Sequence, residues 1–206
     1  MADVAEAPVV EAPPERAEIA GLRGRLPNAL IKVKQERGET FLCIHREAIV
    51  DVARFLKEDQ GYDYFVECLG VDYSRWEHGR DLEGRFEVVY NLFNTSTLKR
   101  LFVKLAVDDG QTVPSLLPVY IGAEYPEREI QDLFGVIFDG NGPRPKERFL
   151  LPDDWIGYPL RKEYPLGGED VLFDRGDVGP AVEDVMMPHA GESFEGKTGS
   201  EDVSGR

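Results

Sequence analysis

Residues 86 to 93, Phe-Glu-Val-Val-Tyr-Asn-Leu-Phe, and residues 98 to 107 are β-branched and aromatic, and they flank the short polar linker Asn94-Thr95-Ser96-Thr97. This arrangement predicts an antiparallel strand pair. Leu101, Val103, Leu105 and Val107 alternate with Phe102, Lys104 and Ala106, so one face of the pair is buried and the other partly covered. Upstream, residues 29 to 35 and 40 to 45 read as a hairpin turning at Arg37-Gly38, where glycine is free to take positive φ. Between the two pairs lies the strongest helix of the chain, residues 46 to 58. Its Ile49, Val52, Ala53 and Leu56 make an apolar stripe at spacings of three and four, and Gln60-Gly61 closes it. Residues 64 to 73 read as a further strand, residues 74 to 84 as a polar loop, and residues 17 to 26 as a short first helix. Helices among antiparallel strands predict an α+β fold: a two-layer sandwich of a largely antiparallel sheet with helices, plus an extended C-terminal arm.

The 206 residues leave room for one such domain with appendages. Four parts are expected: a disordered leader over residues 1 to 16, the α+β core domain over 17 to 140, an arm over 141 to 173, and a mobile acidic tail over 174 to 206. The net charge of −15 belongs mainly to the ends. The first eighteen residues hold five acids against one base, and residues 166 to 206 hold ten against three. A nucleic-acid binder needs a net basic face to release counterions, so this balance argues against one. No apolar run approaches the roughly 20 residues of a membrane span, and the N-terminus lacks the pattern of a signal peptide. Cys43 and Cys68 read as buried, reduced thiols. His45, His78 and His189 are scattered, so no metal-ligand spacing emerges. Neither a dinucleotide glycine fingerprint nor a phosphate-binding lysine loop is present.

Past Pro114 the pattern changes. Residues 115 to 120 are apolar and read as one helical turn on the sheet edge. Pro126 fits the first turn of a helix, Glu127 and Glu129 suit its positive end, Ile130, Leu133 and Phe134 face inward, and Arg128 can pair with Asp132 at i+4. Gly135 ends the helix. Residues 136 to 138 read as a short strand. From Pro143 onward prolines and glycines forbid long helices, so the arm is ordered only where something receives it. Arg144, Lys146, Arg148, Arg161 and Lys162 form its one basic stretch.

Two motifs stand out: Glu127-Arg128-Glu129-Ile130-Gln131-Asp132-Leu133-Phe134-Gly135, and Tyr158-Pro159-Leu160-Arg161-Lys162-Glu163-Tyr164-Pro165-Leu166. With Val136, Phe138 and the run Phe149-Leu150-Leu151-Pro152 between them, they resemble the thirty-kilodalton subunit (the C subunit) of the proton-pumping NADH:quinone oxidoreductase, respiratory complex I. The resemblance spans about residues 60 to 173. It departs from the family pattern at Asn141 and Tyr158, where histidines are usual, and at Tyr125-Pro126, near the usual tryptophan.

The resemblance implies a non-catalytic member of the hydrophilic arm, peripheral on the cytoplasmic side of the membrane. Such a protein binds no cofactor itself; FMN, iron–sulfur clusters and quinone belong to the complex. Its partners would be chiefly the hydrogenase-like D subunit and the quinone-site B subunit. The expected interface residues are Glu127, Arg128, Glu129, Asp132, Phe134, Gly135, Tyr158, Pro159, Arg161, Lys162, Tyr164 and Pro165, with forked arginines and aromatic anchors suited to partner contact. Losing Arg161 and Lys162 together is then expected to impair assembly and leave the isolated chain's melting temperature nearly unchanged. Related proteins serve energy-converting hydrogenases and quinone reductases with other donors, so the host complex stays open here. A free-standing enzyme using Glu127 or Glu129 is disfavoured, because residues two apart point to different faces of a helix.

Overall fold

The computed structural model describes residues 16–76, 78–141 and 148–165. The expected leader (apart from Arg16), the acidic tail and part of the arm lie outside the described residues. Arg16 is already anchored: its Nε–H donates to Glu18 at 2.7 Å and its Nη2 to the Tyr62 hydroxyl at 2.7 Å.

The elements run α1 (Ala17–Arg25), β1 (Leu30–Glu36), β2 (Glu39–Ile44), a 3-10 turn (Arg46–Ala48), α2 (Ile49–Glu58), β3 (Tyr64–Asp72), β4 (Phe86–Asn94), β5 (Lys99–Val107), β6 (Thr112–Pro114), a 3-10 turn (Ile121–Ala123), α3 (Glu124–Phe134) and β7 (Ile137–Asp139). Five strands form one sheet in the order β1-β2-β5-β4-β3. Every pairing in it is antiparallel except β2 with β5. The α+β two-layer class expected from the sequence is therefore the observed one.

The long-range step is the β2–β5 pairing. After β2 the chain runs through α2 to the far edge, lays down β3 and returns through β4, so that Leu42 comes to lie beside Val103. Alternate residues Val88, Tyr90 and Leu92 of β4 and Leu101, Val103 and Leu105 of β5 cluster with Ile19 and Leu22 of α1, Val52 and Leu56 of α2, and Ile130 and Phe134 of α3. One sheet face thus carries all three helices. The other face carries the Lys104–Glu87 ion pair at 2.9 Å and the stacked rings of Phe41 and Phe102.

One pairing was not anticipated. β6 and β7 form a separate parallel two-stranded sheet, with Val113 beside Phe138. The strand expected over residues 136 to 138 is β7, whereas the three residues of β6 are too few to show periodicity, and their pairing appears only in the fold. Residues 115 to 120, expected as one helical turn, form a hydrogen-bonded turn instead, in which the Val119 and Tyr120 N–H groups donate to the Leu116 carbonyl at 2.9 and 2.8 Å. This small sheet sets the two ends of α3: β6 leads into its approach and β7 follows its last turn.

Candidate functional site

α3 begins without a side-chain cap and ends at Gly135, whose φ of 76° is the left-handed closing conformation expected there. Pro126 sits in the first turn, where its missing N–H removes no helical bond. The helix buries Glu127, Ile130, Gln131, Asp132 and Phe134. All but Asp132 occupy positions i, i+3, i+4 and i+7, a stripe that includes a carboxylate. The Phe134 ring and the Ile130 side chain sit over Gly70 of β3, so close that a Cβ there would stand 3.0 Å from the ring.

Glu127 is 0% exposed. Its Oε2 accepts the Ser115 hydroxyl at 2.6 Å and the Asn141 amide at 2.8 Å; its Oε1 accepts the Leu116 N–H at 2.8 Å and, at 3.4 Å, the Tyr90 hydroxyl. Burial pushes this carboxyl above its ordinary value, only partly offset by those donors. Asn141 also donates to the Glu124 carbonyl at 2.9 Å. The residue that departs from the family pattern thus closes the network. Glu127, expected at a partner interface, has no exposed surface in this chain, and its bonds are made within it.

Asp132 is likewise enclosed. Its Oδ2 accepts three successive backbone N–H groups, from Phe149 at 3.2 Å, Leu150 at 2.7 Å and Leu151 at 2.8 Å, while Arg148 donates to Oδ1 at 3.2 Å. Burial alone would raise this carboxyl, but the N–H groups of Leu151, Leu150 and Phe149 together with Arg148 outweigh it and hold it below the usual range. The expected Arg128–Asp132 pair does not form. Arg128 turns back to Glu124 at 3.4 Å, because Asp132 is already saturated.

Residues 148–165, the described part of the arm, contain no helix or strand and lie against α3 as a strap. Every helix leaves its last four carbonyls without internal partners, and here each one is met. The Gln131 carbonyl accepts the Gly135 N–H at 2.9 Å and Asp132 accepts Arg148 at 3.1 Å. Leu133 accepts the Leu160 N–H at 3.1 Å and Phe134 accepts the Arg161 Nε–H at 2.7 Å. Two guanidinium groups at the negative end of the helix dipole add electrostatic support. The receiver of the strap is this chain's own helix.

Arg161 completes the clasp. Its two Nη groups donate to the Asp109 carboxylate at 3.0 and 2.9 Å, and its guanidinium lies 4.6 Å from the Tyr158 ring centre and 5.2 Å from that of Phe86. Next to it the Lys162 N–H donates to Asp72 at 2.9 Å, and Arg85 pairs with Glu163. A largely buried arginine bonded at all three nitrogens serves the fold. Losing Arg161 and Lys162 together, expected to spare the isolated chain's melting temperature, would remove the bonds from Arg161 to Phe134 and Asp109 that hold the strap on α3.

Of the expected interface residues, Asp132, Phe134, Gly135, Tyr158 and Arg161 come together at the helix–strap junction, while Glu127 is enclosed apart from it by Tyr90, Ser115, Leu116 and Asn141. Arg128, Pro159 and Tyr164 are half-buried; Glu129, Lys162 and Pro165 face solvent. Beside these, helix and strap leave large apolar side chains exposed: Ile121 (84% exposed), Ile156 (75%) and Tyr125 (60%), with Leu150, Leu160 and Phe149. Tyr125 and Phe149 stack with ring centres 5.6 Å apart, joining helix and strap. None of these was among the expected interface residues, although the run Phe149-Leu150-Leu151-Pro152 in a proline-rich arm was an available signal. Among the described residues no three His, Cys, Asp or Glu side chains gather as a metal site, and no helix is long and apolar enough to cross a membrane.

Comparison with known proteins agrees with the motif resemblance. Residues 42–170 match the family model described as respiratory-chain NADH dehydrogenase, 30 Kd subunit. A protein of Roseiflexus sp. (strain RS-1), named as the C subunit of NADH-quinone oxidoreductase, is 44% identical over 74% of this chain and 84% of its own length. The protein of the same name from Geotalea uraniireducens (strain Rf4) is 37% identical over 82% of this chain and 94% of its own. Among solved structures, a trypsin-resistant fragment (1-134) of Nqo5 shares the fold, with a TM-score of 0.54 at 24% identity, covering 62% of this chain and 98% of the fragment. With a match that runs from β2 through α3 to the end of the strap, this chain belongs to the respiratory-chain NADH dehydrogenase 30 Kd subunit family.

Proposed function

We propose that this chain is the thirty-kilodalton component of a membrane-bound NADH:quinone oxidoreductase and that its role there is structural. The complex carries electrons from NADH through FMN and iron–sulfur clusters to quinone and couples this to proton translocation. This chain binds none of those groups. It sits peripherally on the cytoplasmic side and holds the hydrogenase-like and quinone-site components in register. The names of its relatives support this host over an energy-converting hydrogenase.

One observation carries the reading: a strap locked to its own helix by buried charge leaves Ile121, Tyr125, Leu150, Ile156 and Leu160 exposed. Large apolar side chains left exposed on a polar-anchored frame, among them the stacked Tyr125 and Phe149, suit a protein-binding surface. Because the strap is ordered before any partner arrives, binding carries little ordering cost. The test is a tagged copy carrying Leu150→Glu and Ile156→Glu, purified from native membranes. The expected result is loss of the co-purifying complex and of NADH:quinone activity, with the isolated chain unfolding as before. Unchanged recovery of the complex, or NADH oxidation by the isolated chain, would overturn the scaffold reading.

A further inference from the structure

The two edges of the main sheet are built differently. β1 carries Lys32 and Lys34, both paired with Asp81, at 2.8 and 3.4 Å, and ends in the exposed Gln35 and Glu36. Charged side chains along an edge repel a foreign strand. β3, at the opposite edge, is nine residues long and has no lysine or arginine. It leaves Tyr64 56%, Val66 39% and Leu69 47% exposed. A bulge sets Val66 out of register, after which Glu67 to Asp72 run unbroken against β4. Among the described residues no backbone group of residues 64 to 72 bonds to backbone outside the sheet. α3 packs on the face of β3, over Gly70.

Past the bulge, the edge of residues 67 to 72 carries no lysine or arginine and offers a row of N–H and C=O groups on which another strand can pair. We propose that the β3 edge is a strand-addition site, filled in the assembled complex by an extended segment of a neighbouring protein that alternates apolar and basic residues. The apolar part answers Leu69 and Val66. The basic part answers Glu67 on the strand, Asp63 just before it, and the absence of any cation between them. A second copy of this chain is a poor occupant, since it would set the same acids and the same net charge of −15 against each other. The partner's membership of the complex rests on the host assigned above; the open edge does not.

Hydrogen exchange tests it, comparing the complex purified through a tag on this chain with the chain alone. The expected result is that amides of residues 67 to 72 slow by about tenfold or more in the complex, while those of β1 do not change. In parallel, V66K/L69K should reduce recovery of the complex severalfold, and the variant chain alone should melt like the parent. A recovered complex whose β3 amides exchange at the rates of the free chain would overturn the strand addition and leave the host assignment standing. Recovery of the tagged chain without NADH:quinone oxidoreductase would overturn the host and with it the proposed partner. Protection of β3 in the isolated chain through self-association would overturn the choice of occupant.

Discussion

The Nε–H of Arg161 reaches the carbonyl of Phe134, the last residue of α3, at 2.7 Å. A residue 27 positions downstream thus serves as the helix's terminal cap. The same guanidinium forks onto Asp109 and stacks on Tyr158, which a lysine ammonium cannot reproduce. Arg161→Ala should destabilise the isolated chain by about 2–3 kcal/mol, and Arg161→Lys should recover less than half of that. Urea unfolding of the three proteins measures both.

Acid should release the strap. Asp72, Asp109 and Asp132 are held below the ordinary aspartate value of 3.8. At Asp72 and Asp132 burial opposes the shift and the bonds to backbone N–H groups outweigh it; at Asp109 the hydrogen bond from Arg161 is the main cause. A depressed carboxyl contributes stability that is complete above its unfolded value and is lost as pH falls through the folded one. Hydrogen exchange of residues 148 to 165 should therefore accelerate as pH drops below about 4, once corrected for intrinsic rates. Asp132→Asn should raise strap exchange at neutral pH and flatten its acid dependence.

Glu127 should behave in the opposite sense. Burial raises its carboxyl, so ionisation costs more in the folded chain than in the unfolded one. Its contribution favours folding at low pH and weakens as pH rises from the ordinary value through the raised one. Glu127→Gln should remove that dependence from urea-unfolding curves taken across about pH 4 to 8. Glu127→Ala should cost about 3 kcal/mol at neutral pH, because Ser115, Leu116 and Asn141 are left as buried donors without an acceptor.

Two glycines should respond in opposite directions to alanine. At Gly135 the φ is +76° and a Cβ would stand 2.6 Å from the Tyr158 ring and 2.8 Å from Arg161 Nη2. Gly135→Ala should cost about 3 kcal/mol, from backbone strain and from opening the clasp. Gly24 lies in α1 with nothing within 4 Å of its would-be Cβ, so Gly24→Ala should gain about 0.5 kcal/mol. Thermal unfolding of the pair measures the contrast.

Neither thiol should react while the chain is folded. Burial pushes Cys43 up to about 11 and Cys68 well above its ordinary value, and both side chains are buried. Ellman's reagent at about pH 8 should label neither native thiol and both in urea.

Much of the fold was legible because periodicity survives in a single sequence. The stripe Ile49, Val52, Ala53 and Leu56 is the buried face of α2, and the alternation over residues 98 to 107 is the two-faced pattern of β5. Gly135 announced the end of α3 because few other residues take that φ. The junction was legible only in part. Glu127 lies on the buried stripe of α3 at helical spacing with Ile130, Gln131 and Phe134, yet a carboxylate reads as surface until its donors are known.

The sequence alone determined the three helices, the strands of the main sheet, where α3 stops, and that a proline-rich arm follows it; those are local properties of apolar spacing, glycine and proline. It also carried motifs specific enough to point to the family. Only the tertiary structure decided where the charges go. Asp132 is buried because three consecutive N–H groups from residues 149 to 151 arrive beside it, and Glu127 because Ser115, Leu116 and Asn141 converge on it. Partners separated by 11 to 27 residues leave no periodic trace, since a hydrogen bond depends on where two segments meet and not on the spacing within either.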